Sequence, residues 1–254
     1  MKYLVFGAGE NGRLVKNYID NFMKNDSFVG FIDNSVEEEK DGVYPPRLIN
    51  SIQFDRIIIS NARRKHINDI QLQLDSFSVE HEKRIVLIDD KDLLYNIFKD
   101  YNRYDENTDS RVRWVHSFAR YVHDENIQGN IAECGVNRGE FACYMNKYFP
   151  DRMLYLFDTF EGFDQRDWEI EKKKKTKITK KTIIDGTDNF KTTNEKIVMH
   201  KMQNPEKCIV KKGYFPDSAK DVEDNFSFVN LDMDLYAPMK AALEFFYKRM
   251  NRGG

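Results

Sequence analysis

Residues Phe228–Pro238 read FVNLDMDLYAP. The apolar run of Phe228, Val229 and Leu231 stops at Asp232 and Asp234. Pro238 follows, lacking an N–H and suited to the first turn of a helix. A buried strand thus delivers carboxylates at its carboxyl end, the edge where open α/β sheets bind ligands. Asp234 is expected to turn back and cap the helix that starts near Pro238.

Two earlier stretches share this form. In GNIAECGVNRGE (Gly129–Glu140) a strand ends at Glu133-Cys134, and Gly135 and Gly139 keep the turn small. In YLFDTFEGF (Tyr155–Phe163) the next strand closes with Asp158. A carboxylate at a strand end suits an amino group or a ribose diol through charge-assisted hydrogen bonds. Three such ends mark one cleft on one sheet. Around them the pattern predicts helices over Val112–Glu125, Glu140–Tyr148 and Pro238–Met250. Strands are predicted over Asn130–Cys134, Met153–Phe157, Cys208–Lys211 and Phe226–Leu231.

The N-terminal part repeats the logic. Tyr3–Phe6, Phe28–Ile32, Arg56–Ser60 and Arg84–Ile88 read as strands, and Arg13–Lys24 and His66–Leu74 as helices. Strands alternating with helices give a parallel sheet. GAGENG, Gly7–Gly12, sits between the first strand and helix, the context that gives G-x-G-x-x-G its meaning. Gly7 permits the turn, Gly9 lets a phosphate approach, and Gly12 allows close helix–strand packing; Asp33 ends the second strand where a ribose-binding acid is expected. The same glycines also serve a module that binds nothing. A dinucleotide such as NAD(P), or another nucleotide, is the ligand class they suit. An NAD-dependent oxidoreductase lacks a catalytic partner here, since His66 is a lone imidazole on a helix.

The fold expected is α/β: two consecutive Rossmann-like domains with mostly parallel sheets. The polar stretch KDYNRYDENTDS (Lys99–Ser110) marks the boundary, giving domains over 1–100 and 108–254. A formal net charge of −2 argues against a nucleic-acid partner. No apolar run has the length of a membrane span, and the start MKYLVFGAGENG lacks a cleavage-like site. Cys134, Cys143 and Cys208 show no metal or disulfide spacing, as suits a cytoplasmic protein. The lysine-rich run Lys172–Lys181 reads as a solvated loop before it reads as a phosphate grip. Whether the chain forms a homo-oligomer stays open.

From about Arg113 onward the chain resembles the macrocin O-methyltransferase family, which includes the mycinamicin and novobiocin sugar methyltransferases. NIAECGVNRGE, LYLFDTFEGFD, KKGYFPDSA and FVNLDMDLYAPMKAALEFF carry the resemblance. It implies a class I methyltransferase fold, S-adenosylmethionine as cofactor, magnesium, and a sugar or nucleotide-sugar hydroxyl as acceptor. It further implies that Glu133, Gly135 and Gly139 line the cofactor and that Asp158 takes the ribose. Thr159, Phe160 and Gly162 would lie near the adenine, Asp217 would border the pocket, and Asp232 would bind magnesium. In the family, further acidic ligands and the catalytic base follow the position of Gly254, so the domain is expected to be incomplete at its C-terminus. The N-terminal half more loosely resembles nucleotide-binding-like modules found beside sugar-modifying enzymes of bacterial surface polysaccharides, on GAGENG and GFIDNS. The alternative is a nucleotide-binding regulatory or scaffold protein with a degenerate methyltransferase half.

Overall fold

The computed structural model describes residues 1–174 and 190–254. From residue 175 on, the lysine-rich run lies outside the described residues. The chain forms two compact units, Met1–Ile97 and Phe98–Gly254.

In the first unit, β1 (Lys2–Phe6), β2 (Ser27–Ile32), β3 (Val43–Tyr44), β4 (Arg56–Ile59) and β5 (Arg84–Val86) form one sheet in the order β3-β2-β1-β4-β5. All four pairings are parallel. Crossovers run through α1 (Glu10–Phe22) and α2 (Arg64–Ser76), and α3 (Lys91–Phe98) follows. Leu4, Phe6, Ile57 and Ile59 are fully or almost fully buried against Ile67, Ile70 and Leu74 of α2. Helices on such a sheet explain why its strands read as unbroken apolar runs. The first helix starts earlier than the sequence pattern suggests. Gly9 already accepts the N–H of Arg13 through its carbonyl, so the helix begins as soon as the glycine turn ends.

The second unit opens with α4 (Ser110–Asp124), whose first amides, those of Arg111 and Val112, are received by the Asp109 side chain. Then come β6 (Asn130–Cys134), α5 (Ala142–Tyr148), β7 (Leu154–Asp158), α6 (Gln165–Lys174), α7 (Glu195–Lys201), β8 (Cys208–Lys212), β9 (Phe226–Leu231) and α8 (Tyr236–Tyr247). The sheet order is β8-β7-β6-β9, again wholly parallel. Alternation along the strands sorts the core. Ile131, Leu154, Leu156 and Phe228 pack with Val115, Ala119 and Met145. Ala132, Cys134, Tyr155 and Phe157 pack with Ala242 and Phe246 of α8. The order in which strands are added reverses between β6 and β9, a switch point that opens a crevice beyond their carboxyl ends.

The polar stretch read as a boundary belongs to the second unit. Asn102 donates to the Glu140 carbonyl (3.0 Å), and Tyr144 donates its hydroxyl proton to the Tyr104 carbonyl (2.8 Å). Glu106 pairs with Lys147. Lack of apolar residues here marks a strap fastened by hydrogen bonds. Among the described residues, no helix is long and apolar enough to cross a membrane.

The glycine turns differ in what they tolerate. A Cβ on Gly12 would sit 1.9 Å from the Gly7 carbonyl oxygen, whereas one on Gly9 meets nothing within 4 Å. Gly12→Ala should therefore destabilise the protein by about 1–3 kcal/mol through overpacking, while Gly9→Ala leaves the urea midpoint nearly unchanged. Equal midpoints for the two variants would contradict the packing described.

Candidate active site

The carboxyl ends of β6, β7 and β9 and the residues after β8 surround a cavity of about 260 Å³. Glu133, Asp158 and Asp232 all line it. Backbone locking holds the ends together. The Asp232 amide donates to the Cys134 carbonyl (2.8 Å), and a Cβ on Gly135 (φ +88°) would lie 2.4 Å from the Asp232 carbonyl oxygen. Only glycine fits there.

Glu133 is 2% exposed. Its Oε1 accepts from the Asn230 side chain (2.8 Å), while Oε2 has no hydrogen-bond partner among the described residues. Burial pushes its carboxyl up to about 8; the Asn230 bond and the Ala142 amide oppose this, and the carboxylates of Asp232 and Asp158 add to it. The group therefore holds a proton at neutral pH and waits for a cation.

Asp158 is engaged on both oxygens. Oδ2 receives the amides of Val136 (2.7 Å) and Asn137 (2.8 Å), and Oδ1 receives that of Phe160 (2.7 Å). Burial raises its pKa, with these amides of Phe160, Asn137 and Val136 pulling the other way. The carboxylate clamps the glycine loop to the end of β7, and its remaining lone pairs serve a ligand.

Asp234 also lines the cavity. It takes no hydrogen bond from the described residues, so the capping role expected for it is not observed. The amide of Tyr236, first residue of α8, donates instead to Oε1 of Glu171 on α6 (2.7 Å). Burial, then the neighbouring Asp232, raises the Asp234 pKa. Among the described residues, no group of three His, Cys, Asp or Glu side chains converges to hold a metal ion.

At the other side stands a charged corner. Arg103 pairs with the buried Glu140, and both line the cavity. The Lys201 ammonium donates to the Arg138 carbonyl (2.8 Å) and is brought down to about 8 by burial, with the Glu140 charge opposing and the Arg138 charge reinforcing.

Residues 65–254 match the family model for macrocin-O-methyltransferase (TylF). The chain belongs to the macrocin-O-methyltransferase family. Residues 1–86 match a second family, described as C2185-like, N-terminal. A solved structure titled "Structure of the O-methyltransferase NovP" is similar, at a TM-score of 0.48 and 18% identity, covering 64% of this chain and 79% of that chain. No curated protein matches the chain.

For this macrocin-O-methyltransferase family member, the structure gathers Glu133, Gly135, Asp158, Thr159, Gly162 and Asp232 around one cavity. Three expected residues are not among its lining. Gly139 (φ +71°) packs against Val198 of α7, and Phe160 (φ +54°) is buried in the core. Asp217 is a surface residue whose carboxylate is held by Arg166 (2.9 Å) and Lys220 (2.8 Å). Arg103 and Asp167 line the cavity from outside the quoted motifs, and Glu140 and Tyr214 line it from within GNIAECGVNRGE and KKGYFPDSA, where no role was expected of them. Arg103 is hidden in the polar strap, and Asp167 follows the recognisable DTFEGF by only a few residues.

In the first unit, Gly7, Gly9 and Gly12 form the β1–α1 turn as expected, but Asp33 is occupied. It accepts from the Ala8 amide (2.8 Å) and from the amide and hydroxyl of Ser35 (2.9 and 2.7 Å). Burial raises its pKa, yet these bonds outweigh it and leave it lowered.

Glu133 has a measurable cost. The native state keeps its proton until about pH 8, whereas an ordinary carboxyl releases it near 4.5. Between those values the native state binds more protons, so stability falls as pH rises. Glu133→Gln removes this penalty. Below about pH 4 the variant and the unaltered protein should unfold alike in urea. At pH 8 the ligand-free variant should be the more stable, by on the order of a few kcal/mol. A parallel pH dependence for both would refute the assignment.

Proposed function

We propose that the chain is an S-adenosylmethionine-dependent O-methyltransferase acting on a sugar hydroxyl, in the cytoplasmic assembly of a polysaccharide or natural product. The observation that carries the reading is the buried Glu133 Oε2, without a hydrogen-bond partner among the described residues, at the wall of a cavity ringed by strand-end acids. The cofactor supplies an electrophilic methyl group on a sulfonium.

The residues fit it. Glu133 gives up its proton and receives the α-ammonium group as a charge-assisted partner. Gly135, without a side chain, lets the ligand lie against the loop. Asp158 fixes that loop and has lone-pair capacity for a ribose hydroxyl. On the β9 side, Asp232 accepts the hydrogen bond of the acceptor hydroxyl and holds it in orientation beside Asp234, so that reaction becomes effectively intramolecular. Magnesium at Asp232 is part of the proposal. Two carboxylates suit only an ion that keeps most of its shell as water and substrate oxygen.

Calorimetry with S-adenosylhomocysteine tests the cofactor. Binding at pH 7 should release nearly one proton, seen as a dependence of the heat on buffer ionisation enthalpy. Asp158→Ala should weaken binding by roughly 1.5–3 kcal/mol, the scale of bonds to a charged group. A folded protein that binds neither this ligand nor S-adenosylmethionine would end the methyltransferase reading. Radiolabelled methyl transfer to a panel of nucleotide sugars then identifies the acceptor, and Asp232→Asn should abolish it.

For the first unit we propose a nucleotide ligand at the Gly7–Gly12 turn, supported by the open space beside Gly9. In thermal-shift titrations, NAD, NADP or a nucleotide sugar should raise the melting temperature, because a ligand bound only to the native state stabilises it. Gly9→Val should remove the shift without changing the unliganded melting point. No shift with any of these ligands would assign the turn to packing alone.

A further inference from the structure

Asp167 is a further buried carboxyl at the cavity wall. It lies in the first turn of α6 and is 3% exposed. The Tyr214 hydroxyl donates to its Oδ1 (2.9 Å), and its other oxygen takes no hydrogen bond from the described residues. Arg166 does not neutralise it. That guanidinium binds Asp164 and Asp217 (2.9 Å each) while lying 3.8 Å over the Tyr214 ring. Tyr214 is thereby pinned, and Asp167 presents one unused acceptor to the cavity.

The position narrows what that acceptor is for. The Gly213 amide donates to the Asp158 carbonyl (2.9 Å), so Tyr214 is one residue from the strand end assigned to the ribose. Strand order places β8 and β9 at opposite sides of the sheet, three strand spacings or about 14 Å apart. The acceptor hydroxyl belongs with Asp232 on β9. The wall around Asp167 is aromatic: Phe163, Phe190, Tyr214 and Phe215 line the cavity, with Phe163 and Phe190 edge-to-face at 5.2 Å. Aromatic walls with a single buried acceptor suit a flat heteroaromatic ring carrying one neutral N–H donor.

We propose that Asp167, held by Tyr214, is the base-recognition residue, accepting the exocyclic amine of the cofactor's adenine. This rests on the cofactor reading above and assigns its specificity. A buried acceptor built for an amine rejects an analogue that offers a carbonyl instead, because both oxygens are then left facing each other.

The experiment compares S-adenosylhomocysteine with its deaminated analogue S-inosylhomocysteine by calorimetry. The unaltered protein should prefer the adenosyl form by tenfold or more, and Asp167→Ala should lose the preference. Asp167→Asn keeps the shape and an oxygen for Tyr214 while turning an amide N–H towards the ligand, so its preference should shift to the inosyl form. Circular dichroism verifies that each variant is folded. If the unaltered protein binds neither ligand, the cofactor reading itself falls. If it binds the adenosyl form and both variants keep the original ratio, Asp167 does not read the base and the present proposal alone is overturned.

Discussion

The carboxylate of Asp158 holds three backbone amides, and the second unit is organised around that contact. Val136 and Asn137 belong to the loop after β6, and Phe160 to the segment after β7. One side chain therefore sets the positions of two loops. The cavity exists because the loop it clamps cannot collapse onto the sheet. The cost is a buried acid, met by three hydrogen bonds to its charged form. The first unit uses the same device in reduced form, with Asp33 holding the Ala8 amide of its glycine turn. A parallel sheet with a glycine turn at its switch point needs something to hold that turn, and a strand-end acid on the next strand is within reach.

This shared device explains both the success and the limits of reading the chain. Buried strands were legible because parallel sheets covered by helices demand unbroken apolar runs, as in Ile57-Ile58-Ile59 or Leu154–Phe157. The family was legible because its strand-end acids and glycines stand in a fixed order. What the pattern could not separate is an acid that faces a ligand from one that faces its own loop. Asp158 does both, Asp33 is taken up by its turn and Ser35, and Asp217 serves a surface ion pair. The residues missed have the opposite problem. Asp167 and Tyr214 meet only through the fold, being far apart in sequence, Asp167 on a helix without a motif and Tyr214 in KKGYFPDSA, where the acid Asp217 drew the reading instead. Arg103 lies in a polar stretch that looked like a linker because hydrogen bonds to carbonyls leave no hydropathy signal.

Four buried or half-buried carboxyls around one cavity, Glu133, Asp158, Asp167 and Asp234, have raised pKa values. The unliganded protein thus concentrates acidity that a cationic ligand would relieve. Stability is given up at the site in return for affinity, and Glu133, pushed up to about 8 by its burial, carries the largest share.

The bond from the Tyr236 amide to Glu171 makes α6 and α8 a single unit of opening. An N-cap normally comes from the side chain of the residue just before the helix, but Leu235 has no side-chain oxygen to offer and the role passes to another element. Lifting α6 therefore exposes the first amide of α8 at the same moment that it uncovers the cavity. The segment carrying Asp232 and Asp234 leads directly into that helix start. The observed coupling is that one hydrogen bond, so a change in α6 would be felt at the helix start that follows Asp232 and Asp234.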